Sequence, residues 1–237
     1  MILMPRDIEL MQWMQEQKFM TASQIRRVFW KGVAENNTEA HRRLHELEKA
    51  GFLKKNRSNI YCYALYLVTA SGIRHVKALG QNLGLGELYD VDYSMVIHDM
   101  AVTDVRILFH EWGYEDWVCE RVLCKWHDFK QLADGMVYHH GRFFAIEYEA
   151  SQKGRRRYKE IFLHYKLDRE VPAVIYIVDT PELLAKVSRE ASISDKLHFV
   201  TFQELQEKKL DAQLKAIGGL TALEELLSGT GRALATV

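Results

Sequence analysis

Residues 131–159 read QLADGMVYHHGRFFAIEYEASQKGRRRYK. Leu132–Tyr138 and Phe143–Glu149 are two short runs of strand-forming residues, and HHGR (139–142) reads as the turn between them. Side chains two apart on a strand share a face, so Glu147 and Glu149 point the same way. Asp134 lies near the start of the first run, and the turn brings it alongside them. Three carboxylates on one patch repel unless a cation offsets them, and a hard divalent metal with oxygen ligands is the usual partner. Lys153, Arg155, Arg156, Arg157 and Lys159 follow at once, on a stretch (153–167) that reads as a basic helix. Two readings are open. The charges are the solvated faces of a hairpin and a helix, or they form a site where a metal activates water against a phosphodiester.

Working outward, the flanks suit a sheet. YSMVIHDMAVTDVRILFHEWG (93–113) predicts a helix with Met95 or Val96, Met100, Val102 or Thr103 and Ile107 on a broad apolar face, and Trp117–Trp126 alternates as a strand does. PAVIYIVD (172–179) is a continuous apolar run, as expected of a strand buried on both faces. A helix at 181–191, a strand at 197–202 and a helix from Gln203 complete an αβββαβαβα order. That order predicts a mixed α/β domain over 93–227, with a small-residue tail at 228–237.

The first third has a different pattern. A helix over 6–17 carries Ile8, Met11 and Met14 or Gln15 at helical spacing, and Thr21 caps a second helix with Ile25, Val28 and Phe29 inward. In NNTEAHRRLHELEKAGFLKK (36–55), Asn36, Asn37 or Thr38 caps a helix striped by Ala40, Leu44 and Leu47, and Gly51 ends it. Two strands around a basic turn at 54–59 follow, and Thr69 or Ser71 opens another helix. Three helices and a hairpin are the order of a winged helix-turn-helix over residues 1–80, with 81–92 as a linker. Thr38, His41, Arg42 and His45 would then face a DNA groove, and Lys54, Lys55 and Arg57 the phosphates.

Charge agrees with that division. Residues 1–80 carry 13 Lys and Arg against 7 Asp and Glu, a net +6, while residues 81–237 carry 19 against 25, a net −6. A basic module joined to an acidic one suits a nucleic-acid partner for the first. Cys62, Cys119 and Cys124 have no metal-ligand spacing, which argues for a reducing compartment rather than a disulfide framework. No run approaches the roughly 20 apolar residues of a membrane span, so a cytoplasmic location is expected.

The succession ADG (133–135) then IEYEASQK (146–153) resembles the PD-(D/E)xK nuclease superfamily. With HRRLHELEKAGFL, HDMAVTDVRILF and AVIYIVD, the chain as a whole resembles the replication-relaxation family and the related MOB-C class of conjugative relaxases. The resemblance implies an α+β protein, a winged helix followed by a restriction-endonuclease-like domain. It further implies a metal-dependent, relaxase-like DNA endonuclease of a plasmid or other mobile element, acting on double-stranded DNA at an origin of transfer or replication. An accessory mobilisation protein or a second copy of the chain would be further partners. Carried over residue by residue, Asp134 and Glu147 would hold Mg2+ or Mn2+, and Glu149 would be a ligand or general base. Lys153 or Lys159 would stabilise developing charge, Arg155, Arg156 and Arg157 would grip the DNA, and His98 and Asp104 would support the site. Ala133 replaces the usual proline, and Glu149 stands where the superfamily has its lysine.

The alternative is a non-catalytic DNA-binding regulator or mobilisation accessory with a degenerate nuclease-fold domain. A winged-helix repressor with a small-molecule sensor is disfavoured by the cationic charge abutting Glu147 and Glu149. Nicking by a tyrosine would need a histidine cluster, and His139–His140 with His127 do not supply an evident one. Tyr148 should face the opposite side of its strand, leaving Tyr158 and Tyr165 on the helix beyond.

Overall fold

The computed structural model describes residues 2–33, 38–57, 62–80, 84–126, 131–191 and 193–229. Asn36, Asn37, the tip of the 54–59 turn, His127 and the tail from residue 230 lie outside them. The chain is a mixed α+β protein, with two sheets among the described residues. It divides into two compact units, Met1–Ile107 and Leu108–Val237.

In the first unit, Pro5 opens helix α1 (Pro5–Glu16) and Asp7 accepts the backbone N–H of Met4 at 2.7 Å. A two-residue strand β1 (Met20–Thr21) leads into α2 (Ala22–Phe29). There Thr21 and Gln24 form a reciprocal cap, Gln24 N donating to Thr21 Oγ1 at 3.2 Å and Thr21 N to Gln24 Oε1 at 3.0 Å. Helix α3 (Glu39–Lys49) starts at Thr38, which makes no side-chain cap bond. It ends at Gly51, whose φ of 77° lets Gly51 N reach Glu48 O and Phe52 N reach Leu47 O. Strands β2 (Leu53–Arg57) and β3 (Ala64–Val68) pair antiparallel from Leu53↔Val68 to Arg57↔Ala64. The sheet order is β1-β3-β2. Helix α4 (Ala70–Ala78) follows, and Leu10, Met11, Met14, Ile25, Leu44, Leu47, Leu53 and Val76 close one core.

The unit extends beyond the 81–92 segment expected as a linker. Gln15 Nε2 donates to Leu85 O at 2.6 Å and Lys54 Nζ to Leu88 O at 2.7 Å, so residues 85–88 are bound to it. The helix α5 (Val96–Glu111) is bound as well. Lys18 pairs with Asp99 at 2.8 Å and Arg27 with Asp104 at 2.9 Å, while Arg106 stacks on Trp13 and pairs with Glu16. Hence the division falls near residue 107, within α5, rather than at 81–92.

The second unit is built on a seven-stranded sheet in the order β10-β9-β8-β7-β6-β5-β4. Strand β4 (Trp117–Cys119) gives way to the short helix α6 (Glu120–Leu123), so the strand expected over 117–126 is only three residues long. Its pairing with β5 (Gly135–His139) stops at Cys119↔Gly135, after which the backbone turns away. β5 and β6 (Arg142–Glu149) form the expected hairpin, closed by His140 and Gly141, both at positive φ (48° and 78°). Helix α7 (Arg155–Leu167) crosses to β7 (Ala173–Val178), parallel to β6, and α8 (Pro181–Arg189) to β8 (Leu197–Thr201), parallel to β7. After α9 (Phe202–Lys208) comes a hairpin absent from the sequence expectation, β9 (Gln213–Ala216) with β10 (Gly219–Ala222), and then α10 (Leu223–Ser228). Tyr158, Phe162 and Tyr165 of α7 pack with Val174, Tyr176 and Val178 on one sheet face. No helix among the described residues is long and apolar enough to cross a membrane.

Candidate active site

The carboxylates meet on that same face, at one end of the central strands. In β6, Ala145 lies in the α7-covered core, and period-two alternation puts Glu147 and Glu149 on its side. Gly135 pairs with Ile146, so Asp134, one residue earlier on an antiparallel strand, falls opposite Glu147. Its Oδ2 accepts the Tyr148 backbone N–H at 2.7 Å, which fixes the carboxylate at the strand end. β6 and β7 both finish here, the end of a parallel pair where α/β sheets place their sites.

All three acids have protein partners. Glu147 is 8 % exposed and accepts a hydrogen bond from the Tyr165 hydroxyl. Burial, then the negative charge of Asp134, pushes its carboxyl up to about 8, against the opposing pull of Tyr165 and Lys153. Glu149 is 4 % exposed and pairs with the Lys153 ammonium. The Lys153 backbone N–H donates to the Tyr158 hydroxyl at 2.9 Å, which ties the 150–154 loop to α7. Burial raises the Tyr158 phenol to about 12, and holds those of Tyr165 and Tyr176 well above their ordinary value. Among the described residues, no three His, Cys, Asp or Glu side chains gather closely enough to enclose a metal ion.

Of the two lysines offered in place of the superfamily's, Lys153 joins the cluster. Lys159 is exposed on α7 and makes no ion pair among the described residues. Arg155 pairs with Glu190 at 2.8 Å, and Arg156 and Arg157 with Glu160 at 3.1 and 3.7 Å. All three arginines lie at the start of α7, where positive charge opposes the helix dipole, and all remain largely exposed. His98 lies 3.6 Å from Asp99, and Asp104 holds Arg27, both within the first unit.

The sequence offers Tyr158 and Tyr165 only as candidate nucleophiles, whereas in the structure their hydroxyls are partners of the cluster. Tyr158 and Tyr165 sit seven apart on the apolar stripe of α7, and a tyrosine buried on such a stripe must find a polar partner for its hydroxyl. Tyr148 faces the other side of β6, as expected, where it packs on Phe202 and its hydroxyl donates to Asp179.

On the first unit, Arg42 and His45 are exposed on α3 and lie within 3.9 Å of Glu46 and Glu48. Lys54 is engaged with Leu88 O, Tyr89 O and Glu87. His41, Lys55 and Arg57 line an open cavity of about 610 Å3. No family model matches this chain, and no curated protein or solved structure matches it.

Proposed function

We infer that this chain is a DNA-nicking protein of the relaxase kind, with a winged helix in its first unit and a PD-(D/E)xK-like site in its second. The observation that carries the reading is the convergence of Asp134, Glu147, Glu149 and Lys153 at one strand end. The helix–helix–helix–hairpin order of residues 5–68 and the sequential mixed sheet β4–β8 support the two fold assignments.

The donor set fits a hard divalent cation in part. Asp134 and Glu147 offer carboxylate oxygens close enough for one charge to raise the other's pKa, a crowding that Mg2+ or Mn2+ would offset. Glu149 fits less well as a ligand, because Lys153 takes its charge. Asp134 and Glu147 would therefore hold the ion, which supplies water activation and charge neutralisation at a phosphodiester. Tyr165 orients Glu147. Glu149 orients Lys153, whose ammonium would meet charge developing on the phosphate, the role a lysine on the strand has elsewhere in the superfamily. Arg155, Arg156 and Arg157 would exchange their exposed acidic partners for DNA phosphates.

The test is relaxation of supercoiled plasmid DNA carrying a candidate origin, with Mg2+ or Mn2+. Asp134→Ala and Glu147→Ala should abolish nicking and keep DNA binding. Nicking that survives both substitutions would overturn the site. A cognate plasmid bound but never nicked would favour the second reading, a regulator or mobilisation accessory. The Lys153–Glu149 pairing is the observation that leaves this reading open, since a satisfied ion pair also suits a retired site.

A further inference from the structure

The sheet of the second unit carries another concave site, away from the carboxylates. Ala145, Val174, Leu197 and Phe199 lie on the α7 side of the sheet. Alternation therefore sends Phe144, Ala173 and His198 to the opposite side. There, with Asp195, Thr221 of β10 and Glu225 of α10, they line an open cavity of about 540 Å3. Phe144 pairs with Ala173 where β6 and β7 begin to run together, whereas Glu147 and Glu149 stand where that pairing ends. The two sites thus differ in face and in strand end, and they share no residue.

His198 decides what the cavity takes. It is 8 % exposed, and its Nδ1 lies 2.9 Å from the Lys196 carbonyl oxygen, an atom that only accepts. Nδ1 therefore carries the ring proton. Burial keeps the imidazole neutral by pulling its pKa below the ordinary 6.5, against the opposing effects of the Lys196 carbonyl and Asp195. Nε2 is then a lone-pair acceptor, and it has no hydrogen-bond partner among the described residues. An acceptor so nearly buried, on a side chain that lines a cavity, calls for a donor from the occupant.

The surrounding charges give the sign of that donor. Asp195 and Glu225 are exposed, and neither carboxylate has a hydrogen-bond or ion-pair partner among the described residues. Arg142 also lines the cavity, but its guanidinium lies against Gly229, the residue that ends α10. A helix C-terminus favours a cation at that place. The two carboxylates then leave the cavity negative, above apolar surface from Phe144, Ala173 and Leu226. An ammonium ion on an apolar stem meets all of these features. It brings an N–H for Nε2, positive charge for Asp195 and Glu225, and methylenes for Phe144 and Ala173. A metal ion does not, because no three His, Cys, Asp or Glu among the described residues gather closely enough to hold one.

We propose that this cavity binds a small organic amine, a primary ammonium group on a short apolar stem, through His198 Nε2, Asp195 and Glu225. The site is additional to the nicking reading and does not depend on it. Its volume falls in the range of small-molecule sites.

The experiment titrates the isotope-labelled full chain with pentylamine at neutral pH and constant ionic strength, followed by NMR. Pentanoate, with an equal stem and the opposite charge, is the parallel probe. Pentylamine should move the resonances of Phe144, Ala173, His198 and Thr221 saturably, and pentanoate should leave them in place. His198→Asn keeps an N–H for the Lys196 carbonyl and removes the Nε2 acceptor. Asp195→Asn/Glu225→Gln removes both charges from exposed positions, and circular dichroism checks that each variant is folded. Each variant should weaken pentylamine binding about fivefold or more. Glu224→Gln, beside Glu225 but outside the cavity lining, should bind as the wild type does. Absence of saturable shifts, equal shifts with pentanoate, or folded cavity variants that keep wild-type affinity would each overturn the proposal. An affinity lowered equally by Glu224→Gln would mean general attraction to an acidic surface, and would overturn it too. Each of these outcomes leaves the nicking reading to its own test with Asp134→Ala and Glu147→Ala.

Discussion

The Lys153 ammonium pairs with the Glu149 carboxylate, four residues back along the chain. Glu149 is 4 % exposed, whereas the lysine side chain remains 41 % exposed. The cation therefore reaches in from the solvent side to a buried acid, and removing it strands a charge rather than merely losing a bond. Lys153→Ala should destabilise the second unit by about 1–2 kcal/mol, a figure reduced for solvent screening of the lysine. Lys153→Ala/Glu149→Gln should recover most of that loss, as read from urea denaturation. Nicking, in contrast, should fall at least tenfold in both, because the proposed chemistry needs the ammonium itself.

Glu147 predicts an inverted pH dependence of stability. Its folded carboxyl holds a proton up to about pH 8, against an ordinary value of 4.5. Folding thus takes up a proton between those values, so this group's contribution is fully present below the lower one and is lost as pH rises through the upper. Glu147→Gln, which keeps the neutral shape, should flatten the stability profile between them, the difference from wild type growing toward alkaline pH. Asp134→Asn should lower the Glu147 midpoint, since the charge of Asp134 is the second cause of the elevation. Denaturation midpoints across a pH series measure both.

A tyrosine nucleophile is a poor fit to this geometry. Tyr158 and Tyr165 are 1 % and 0 % exposed, their hydroxyls are engaged with the Lys153 N–H and with Glu147, and burial keeps both phenols protonated. Tyr148 is on the opposite face with Asp179. Tyr148→Phe and Tyr158→Phe should retain nicking within about tenfold, and nicked plasmid should carry no covalently attached protein after denaturation. A protein–DNA adduct lost in one of these variants would assign the nucleophile to that tyrosine.

Much of this architecture is legible in local pattern. Thr21 with Gln24, Gly51 after an apolar stripe, and HHGR between two strands each act through contacts a few residues apart. The β9–β10 hairpin was harder to see, since its strands are four residues long and largely exposed, and only the Gly218–Gly219 pair signals the turn. Trp117–Trp126 misled because alternation continues past the last residue with a partner on β5. The carboxylates of the site follow from strand periodicity, but their tyrosine partners depend on which face of α7 meets the sheet, a tertiary fact. Lys54 and Lys55 show the same limit. Both looked suited to phosphate, and only the packing of residues 85–89 separates them.

Gly135 offers a test of how the strand end is held. It follows Asp134, and its backbone pairs with Cys119 on β4 and Ile146 on β6. The place where a side chain would begin is filled by the Trp117 indole ring, which is itself 7 % exposed and has little room to withdraw. An added methyl must push the ring or the strand, and overpacking of this kind costs about 1–3 kcal/mol. If the strand yields, Asp134 moves with it and loses its bond from Tyr148 N. Gly135→Ala should therefore lower the denaturation midpoint and reduce nicking together. Gly135→Ala/Trp117→Leu, which clears the ring, should regain nicking relative to Gly135→Ala, because the Asp134 position returns even where the lost indole keeps stability low. Nicking equally impaired in the double variant would show that Gly135 matters for some reason other than the room the indole occupies.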